Sequence, residues 1–451
     1  MGTFATRVAG VLSTAVVLFG IAFLSSVLLS AILGPTAKGE LVAVVTVPGM
    51  ITAVGLLGLP ASMNYFAGRG HALPDLLRVT YVSTALLSVL LFGLTWAALP
   101  VLERSIFRAA PDDLLRAILL TLPLSTMLAF GIALLYGRQA VRTWNMIQLV
   151  TAASSLGLIL ILVAGLRLGV RGAVAVTITM NVVTVAAILV ALHRLSRARP
   201  AGLEVSPRRL AAYAARVYPS SITGYFHYRA DTYLIQALVL SATTAQRMLG
   251  LYSVAVTIAE LVFYVPDSVG AVFLPRVAGA SVADANRMVG RVGRLATLLS
   301  VCVALALIPA SFVGIHLILP QYVDCLPAFL VLLPGAVAFS VAKVMISFVA
   351  GRGRPGLISI GTIVSLTLNV SLNIVLIPLY GIVGAALASL VSYSFQAALA
   401  VLFASHLSGE PPLRLFLPGR DEVVLLATTL WRLWGEAPLI GGLRPRLRTP
   451  R

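Results

Sequence analysis

Tyr225-Phe226-His227-Tyr228-Arg229-Ala230-Asp231 sets an arginine and an aspartate inside a run, residues 212–240, that otherwise reads as a membrane-spanning helix. On a translocon-type scale each such charge costs about 3 kcal/mol at the bilayer centre, so it persists mainly where it faces a cavity, a partner or a substrate. Reading this stretch as membrane helix decides the rest of the chain and makes a transport pathway the first hypothesis.

The composition supports that reading. Hydrophobic residues are 59% of the 451 positions and charged residues 11%, outside the range of a soluble globular chain. A net charge of +18 would point to nucleic acid in a soluble protein. Here nearly all the basic residues lie in short connections between apolar runs, which is the bias of a membrane protein, and no nucleic-acid partner is expected. Runs of spanning length fall near 9–33, 41–66, 77–102, 114–136, 146–165, 170–193, 212–240, 249–274, 295–318, 326–350, 357–379 and 383–405. The expected fold is therefore all-α integral membrane with about twelve transmembrane helices. The first run, behind Arg7, is too long for a secretory h-region and reads as an uncleaved span. Arginines concentrate in the even-numbered connections, among them Arg69, Arg78, Arg138, Arg142, Arg194, Arg208, Arg209, Arg276, Arg287, Arg352 and Arg354. By the positive-inside rule both termini are cytoplasmic.

Local patterns recur at nearly one offset. Gly39-Glu40-Leu41-Val42-Ala43-Val44 is echoed by Gly250-Leu251-Tyr252-Ser253-Val254-Ala255, Leu122-Pro123 by Leu333-Pro334, and Gly169-Val170-Arg171-Gly172-Ala173 by Gly381-Ile382-Val383-Gly384-Ala385, at separations of 211, 211 and 212 residues. Their agreement points to duplication. With six spans per copy the repeats are parallel, related by an axis along the membrane normal, an arrangement in which a cavity between halves opens alternately to each side. The expected organisation is an N-terminal six-helix lobe (1–193), a basic cytoplasmic linker (194–211), a C-terminal six-helix lobe (212–406) and a cytoplasmic tail (407–451), interfacial or disordered, whose apolar part at 423–434 is too short to span.

The polar residues inside spans fall mostly in the second half. Ser220, Gly224, His227 and Asp231 lie at helical spacing, with His227 four residues before Asp231 and its natural neighbour. Arg229, two residues from Asp231, points away from it. Ser253, Thr257, Glu260, Tyr264 and Asp267 make a second stripe, Ser340, Lys343 and Ser347 a third, and Ser365, Asn369 and Asn373 a fourth. In lipid such side chains need partners or water. The first half carries Asn64, Asn145 and Asn181 but no charge deep in a span. Ion pairs that merely hold helices together are the plain alternative, yet polar contacts between membrane helices average well under 1 kcal/mol, a weak reason to bury charge. Pro48-Gly49, Pro123, Pro219, Pro266, Pro309 and Pro334-Gly335 mark kinks or hinges. No metal cluster, phosphate-cradling glycine loop or nucleophile–base pair is evident. Asp112-Asp113 reads as a solvated turn rather than the acidic site of a glycosyltransferase.

Ile32-Leu33-Gly34-Pro35-Thr36-Ala37-Lys38-Gly39-Glu40, Gly58-Leu59-Pro60-Ala61, Tyr228-Arg229-Ala230-Asp231, Gly250 to Ala255, Leu274-Pro275-Arg276 and Tyr380-Gly381-Ile382-Val383-Gly384-Ala385-Ala386 together resemble the polysaccharide biosynthesis flippases. These are the Wzx-type branch of the multidrug/oligosaccharidyl-lipid/polysaccharide exporter (MOP) superfamily. The resemblance runs to about residue 405. It implies a MATE-like pair of six-helix lobes in the bacterial cytoplasmic membrane that turns undecaprenyl-diphosphate-linked oligosaccharide, a surface-polysaccharide or lipopolysaccharide repeat unit, to the outer leaflet. The resemblance further implies a transporter rather than an enzyme, with no cofactor beyond a coupling Na+ or H+, and with membrane lipids and assembly proteins such as a polysaccharide polymerase as its expected partners. On this reading Arg229 and then Lys343 meet the diphosphate, Asn369, Asn373 and Tyr264 line the sugar cavity, and Asp231, Glu260 and His227 serve ion coupling. Lipid II flippases carry two further C-terminal helices and arginines in the first helices, and this chain has neither. Two rivals are a multidrug-type cation antiporter of the same superfamily, against which Arg229 argues, and an integral-membrane polymerase or glycosyltransferase, which would need a sizeable extramembrane domain.

Overall fold

The computed structural model describes residues 2–198, 206–424 and 428. Among them there is no strand, and the chain runs as fifteen α-helices: α1 (Gly2–Val45), α2 (Val47–Gly55), α3 (Leu59–Gly68), α4 (Leu73–Ser105), α5 (Asp112–Leu119), α6 (Leu122–Gly137), α7 (Val141–Leu158), α8 (Gly169–Ala198), α9 (Pro207–Leu238), α10 (Ala242–Ala259), α11 (Tyr264–Gly279), α12 (Val282–Ile318), α13 (Leu326–Gly351), α14 (Pro355–Ser408) and α15 (Pro412–Phe416). Eight helical segments are long and apolar enough to cross a membrane, and the bent pair α5–α6 makes a ninth. Two of the eight are broken: one at Gly34 (φ 75°), ahead of Pro35, and the other at Gly381 (φ 59°). Counted as two passes each, and with α9, which carries Arg229 and Asp231, they restore the twelve runs expected from hydropathy.

The breaks have local causes. Pro48, Pro60, Pro74 and Pro123 sit in the first turns of α2, α3, α4 and α6, where a missing N–H costs nothing and a fixed φ starts the helix. Pro48 and Pro123, expected as kinks within spans, are thus helix starts after a break. Pro219, Pro309 and Pro334 do lie inside helices.

By packing, the chain separates into two compact units, Met1–Ala259 with Leu307–Gly335 and Ser359–Ser392, and Glu260–Ala306 with Ala336–Ile358 and Tyr393–Arg451. This partition differs from the repeat-based division at residues 193 and 212. Within the first unit α1 packs along α10. A Cβ on Gly39 would lie 1.6 Å from the Gln246 carbonyl oxygen, and one on Gly250 1.8 Å from the Pro35 carbonyl oxygen. Gly39 and Gly250 are 211 residues apart, and so are Pro35 and Gln246. The contact is therefore the same contact made twice, as a two-fold relation between repeats requires. The repeat is visible in the backbone too: Gly169 and Gly381 both turn through the left-handed region, at φ 58° and 59°. Nearby, Gln246 Nε2 donates to Ala109 O at 3.0 Å and Gln321 Nε2 to Ser30 O at 3.2 Å.

In the second unit the start of the tail is packed, contrary to an interfacial or disordered segment from about residue 407. Gly409 caps α14 in the left-handed region (φ 76°), Leu415 is fully buried, and Arg294 on α12 donates to Arg414 O and Glu422 Oε1, at 2.8 and 2.7 Å. The Arg294 guanidinium beside Glu422 holds its carboxyl below the usual carboxylate range. Most of the 423–434 segment, and the arginines beyond it, lie outside the described residues, as does 199–205 of the linker.

Gly39→Ala and Gly250→Ala each put a methyl group against backbone that cannot rotate away, so each lowers stability by about 1–3 kcal/mol. A fall in the thermal midpoint of the purified protein reads this out. Gly93→Ala, where nothing lies within 4 Å of the added carbon, leaves the midpoint unchanged or raises it.

Candidate functional site: a buried carboxylate on α9

Asp231 faces inward from α9, is 9% exposed, and has its donors supplied by three other helical segments of the first unit. Tyr252 Oη on α10 donates to Oδ2 at 2.5 Å, Ser389 Oγ, in α14 beyond its break at Gly381, donates to the same oxygen, and Asn373 Nδ2, in α14 before the break, donates to Oδ1 at 2.7 Å. Behind this shell Asn373 Nδ2 also reaches Asn369 Oδ1 at 3.0 Å, Asn369 Nδ2 donates to Ser392 Oγ at 3.1 Å, and Ser365 Oγ donates to Ser392 O at 2.7 Å. Asn369 and Asn373 are one helical turn apart and Ser389 and Ser392 three residues apart, so each pair shares a face. Three neutral donors thus serve an acceptor-only group. No cationic side chain bonds to it among the described residues, and the buried Asn373 Oδ1 has no hydrogen-bond partner.

A buried carboxylate with an unsatisfied acceptor beside it is an arrangement that takes a cation or a proton. Its donor atoms are hard oxygens, which suit Na+ and do not suit a thiolate- or imidazole-seeking metal. Among the described residues no group of three or more His, Cys, Asp or Glu could hold a metal ion.

The expected site residues separate. Asp231, Asn369 and Asn373 come together as described. His227 is buried but is not among the donors to Asp231; those places are taken by Tyr252, Asn373 and Ser389. Arg229 is exposed on α9 and makes no hydrogen bond or ion pair among the described residues; its charge lies within electrostatic reach of Tyr225 and Tyr233. Those two phenols are bonded to each other at 2.7 Å, and Tyr233 Oη donates to Thr46 O at 2.9 Å, where α1 ends. Lys343, Glu260 and Tyr264 belong to the second unit. There Lys343 Nζ meets Asp267 Oδ1 and Oδ2 at 2.7 and 2.9 Å and sits 4.6 Å from the centre of the Phe263 ring. Its charge is neutralised by Asp267 and shared with an aromatic face, so it is a poorer anion site than Arg229. Glu260 begins a 3₁₀ stretch, Glu260–Phe263, between α10 and α11, and Tyr264 is 48% exposed.

Sequence reasoning missed Tyr252, Ser389 and Ser392 as site residues. Tyr252 lies two positions beyond the repeated Gly250, and Ser389, Ser392 and Gln396 form an i, i+3, i+7 polar stripe in an alanine-rich helix, the signal that would have marked that face. Lys38, which falls between the first two apolar runs of the sequence, lies within α1 beyond the Gly34 break and is 8% exposed.

No protein-family model matches the chain, and no curated protein matches it. Solved structures do. An inward-facing multidrug resistance MATE family transporter of the MOP superfamily aligns at TM-score 0.65 and 16% identity over 87% of this chain and 94% of its own. The lipid II flippase MurJ, in an inward closed conformation, aligns at TM-score 0.66 and 12% identity over 94% and 92%. A point mutant of the Vibrio cholerae MATE transporter VcmN aligns at TM-score 0.59 and 16% identity over 91% and 99%. The chain has the fold of the MOP-superfamily transporters, a multi-pass membrane fold shared by multidrug carriers and a lipid flippase.

Tyr252→Phe and Ser389→Ala each leave the Asp231 carboxylate one donor short. Each lowers stability by about 1.5–3 kcal/mol, the range for hydrogen bonds to charged groups, measured as a drop in the unfolding midpoint at neutral pH. Combined with Asp231→Asn, either substitution costs less than it does alone, because the charge it served is gone.

Proposed function

We propose that the protein is a flippase that moves a prenyl-diphosphate-linked oligosaccharide, the repeat unit of a surface polysaccharide, from the cytoplasmic to the outer leaflet by alternating access. In this reading it acts in the bacterial cytoplasmic membrane with both termini cytoplasmic, as two six-helix repeats, and hands its product to polymerising enzymes. The observation that carries the reading is Arg229. The 32 residues of α9 span about 48 Å against a hydrocarbon core of about 30 Å. With the overhang at the arginine-bearing start of α9, Arg229 falls about 15 Å inside, near the midplane. A guanidinium at that depth with no acidic partner among the described residues matches a phosphate-bearing substrate. An exporter of small cations gains nothing from it.

Asp231, with Asn369, Asn373, Tyr252 and Ser389, would bind the Na+ or H+ that resets the carrier. Glu260 and His227 are secondary candidates for that role, as Lys343 and Tyr264 are for contact with substrate. The multidrug alternative rests on the fold shared with MATE transporters and on Asp231 itself.

The decisive measurement is the amount and leaflet distribution of prenyl-diphosphate-linked oligosaccharide in cells carrying the wild type, Arg229→Ala and a deletion. Accumulation on the cytoplasmic side in both mutants, with the variant inserted normally, is the expected result. Unchanged lipid pools in a deletion strain free of other flippases, together with raised drug sensitivity, would transfer the protein to the multidrug class.

Ion coupling has its own readout. The wild type gains thermal stability when choline is replaced by sodium, or as pH falls, by about 2.7 kcal/mol at a hundred times the dissociation constant. Asp231→Asn abolishes that dependence. A shift that survives in Asp231→Asn would remove the site from coupling.

A further inference from the structure

The first turns of α9 carry a second feature that the Asp231 site does not use. Tyr213 on α9 stacks on Tyr65 of α3, with ring centroids 4.3 Å apart and planes 16° from parallel, and the Arg69 guanidinium lies 5.2 Å from the centre of the Tyr65 ring. Arg209 and Arg216 are four residues before and three after Tyr213, so they lie along the same face of α9, and both are exposed, as are Arg69 and Tyr65. Neither Tyr65 nor Tyr213 has a hydrogen-bond partner for its hydroxyl among the described residues. The face thus gathers three guanidinium groups and two uncommitted phenols around a stacked aromatic pair.

This surface is held rigidly. Ser62 Oγ on α3 donates to Leu210 O at 2.9 Å. A Cβ on Gly58, which turns through the left-handed region at φ 77°, would lie 2.5 Å from Ala214 O. Tyr218 Oη donates to Val54 O at 2.8 Å. Three fastenings across residues 210–218 fix α9 against α2 and α3 before its own interior proline, Pro219. With the overhang placed at the start of α9, as in the proposed function, about twelve residues, 207–218, project beyond the hydrocarbon and Pro219 stands where the helix enters the membrane.

We propose that this face is a docking site at the membrane surface for the lipid-borne diphosphate of the substrate, engaged before the headgroup reaches Arg229. The inference rests on the flippase reading and names a separate, earlier site for the same ligand. A diphosphate offers several acceptor oxygens and more than one negative charge, which matches a set of forked donors better than it matches one arginine. The tyrosine pair offers hydroxyl donors to phosphate and an aromatic surface to the adjoining sugar. Ordinary anionic phospholipid carries one phosphodiester charge and satisfies fewer of these groups.

The test uses full-length protein in phosphatidylcholine nanodiscs titrated with farnesyl diphosphate, in the wild type and in an Arg229→Gln background that removes the deeper arginine. In the Arg229→Gln background, where the deeper site no longer competes for the ligand, Arg209→Gln/Arg216→Gln weakens farnesyl diphosphate binding at least about tenfold. Tyr213→Phe keeps the stack and loses less, and farnesyl monophosphate binds more weakly than the diphosphate. Unfolding midpoints of the variants equal to the parent's show that binding and not folding was changed. Binding by the double variant equal to that of its Arg229→Gln parent overturns the proposal. So does loss of the difference when a third of the phosphatidylcholine is replaced by phosphatidylglycerol, since the face would then be a general anionic-lipid contact. Because this readout needs no translocation, it fails or succeeds independently of the lipid-pool measurement: parent-like binding by the double variant beside a positive deletion phenotype removes only the docking site.

Discussion

The close crossing of α1 and α10 at Gly39 and Gly250 is the constraint on which the first unit depends. Between helices in lipid there is little hydrophobic drive to associate, and contact comes from van der Waals packing wherever small residues let backbones approach. Here each glycine meets the other helix's backbone, and the pairing of Pro35 with Gly250 and of Gln246 with Gly39 sets the register of α10 to a single residue. Tyr252, two positions on from Gly250, is thereby committed to a height and a direction, and its hydroxyl meets Asp231. A fastening of α9 to α1, from Tyr233 to Thr46 at the end of α1, closes the frame. The carboxylate is placed by a glycine-to-backbone crossing and one hydrogen bond that lie outside its own donor shell.

On that frame Asp231 is an unusual expense. A buried charge usually has a charged partner, because hydrogen bonds alone do not replace its lost hydration. Asp231 has three neutral donors instead, and the Asn373 acceptor beside it is unmatched. Lys343 and Asp267 show the contrasting solution: two opposite charges in direct contact, with aromatic rings beside the ammonium, complete in themselves. The pair needs nothing further, whereas the carboxylate has no opposite charge bonded to it among the described residues; under the proposed function a Na+ or H+ that comes and goes supplies one.

Hydropathy found the spans because lipid forces every backbone polar group into a helix, so length and apolarity nearly determine the map. The repeat offset was legible for the same reason that it is structural: Gly39 and Gly250 recur because each makes the same contact. Asn369 and Asn373 could be picked out, since amides are costly in lipid wherever they are. Ser389 and Tyr252 could not, because serine and tyrosine are cheap in membrane helices and only tertiary contact shows whom they serve. The Lys343–Asp267 pair joins residues 76 positions apart, beyond any helical spacing rule, so the sequence does not reveal that the Lys343 ammonium is already paired. The tail failed in the opposite sense. The whole tail from 407 reads as interfacial or disordered, yet Leu415 and Glu422 find a buried apolar site and an arginine on α12, which composition cannot foresee.

Arg229 and Asp231 are neighbours on one rigid helix and face different surroundings, because two residues turn an α-helix by about 200°. The aspartate is enclosed by α10 and α14; the arginine is exposed. Under the proposed function this is how an ion and an anionic substrate can influence one another without touching. Coupling requires that each ligand favour one of two arrangements of a shared element. A rotation or tilt of α9 that loosens the donors around Asp231 must move Arg229 as well, since no flexible joint lies between them. Pro219, three turns earlier, is where such a movement meets least resistance, because its missing N–H leaves one bond fewer to break. The fastened segment before it stays with α2 and α3, so the moving part of α9 would be the half that carries both charges.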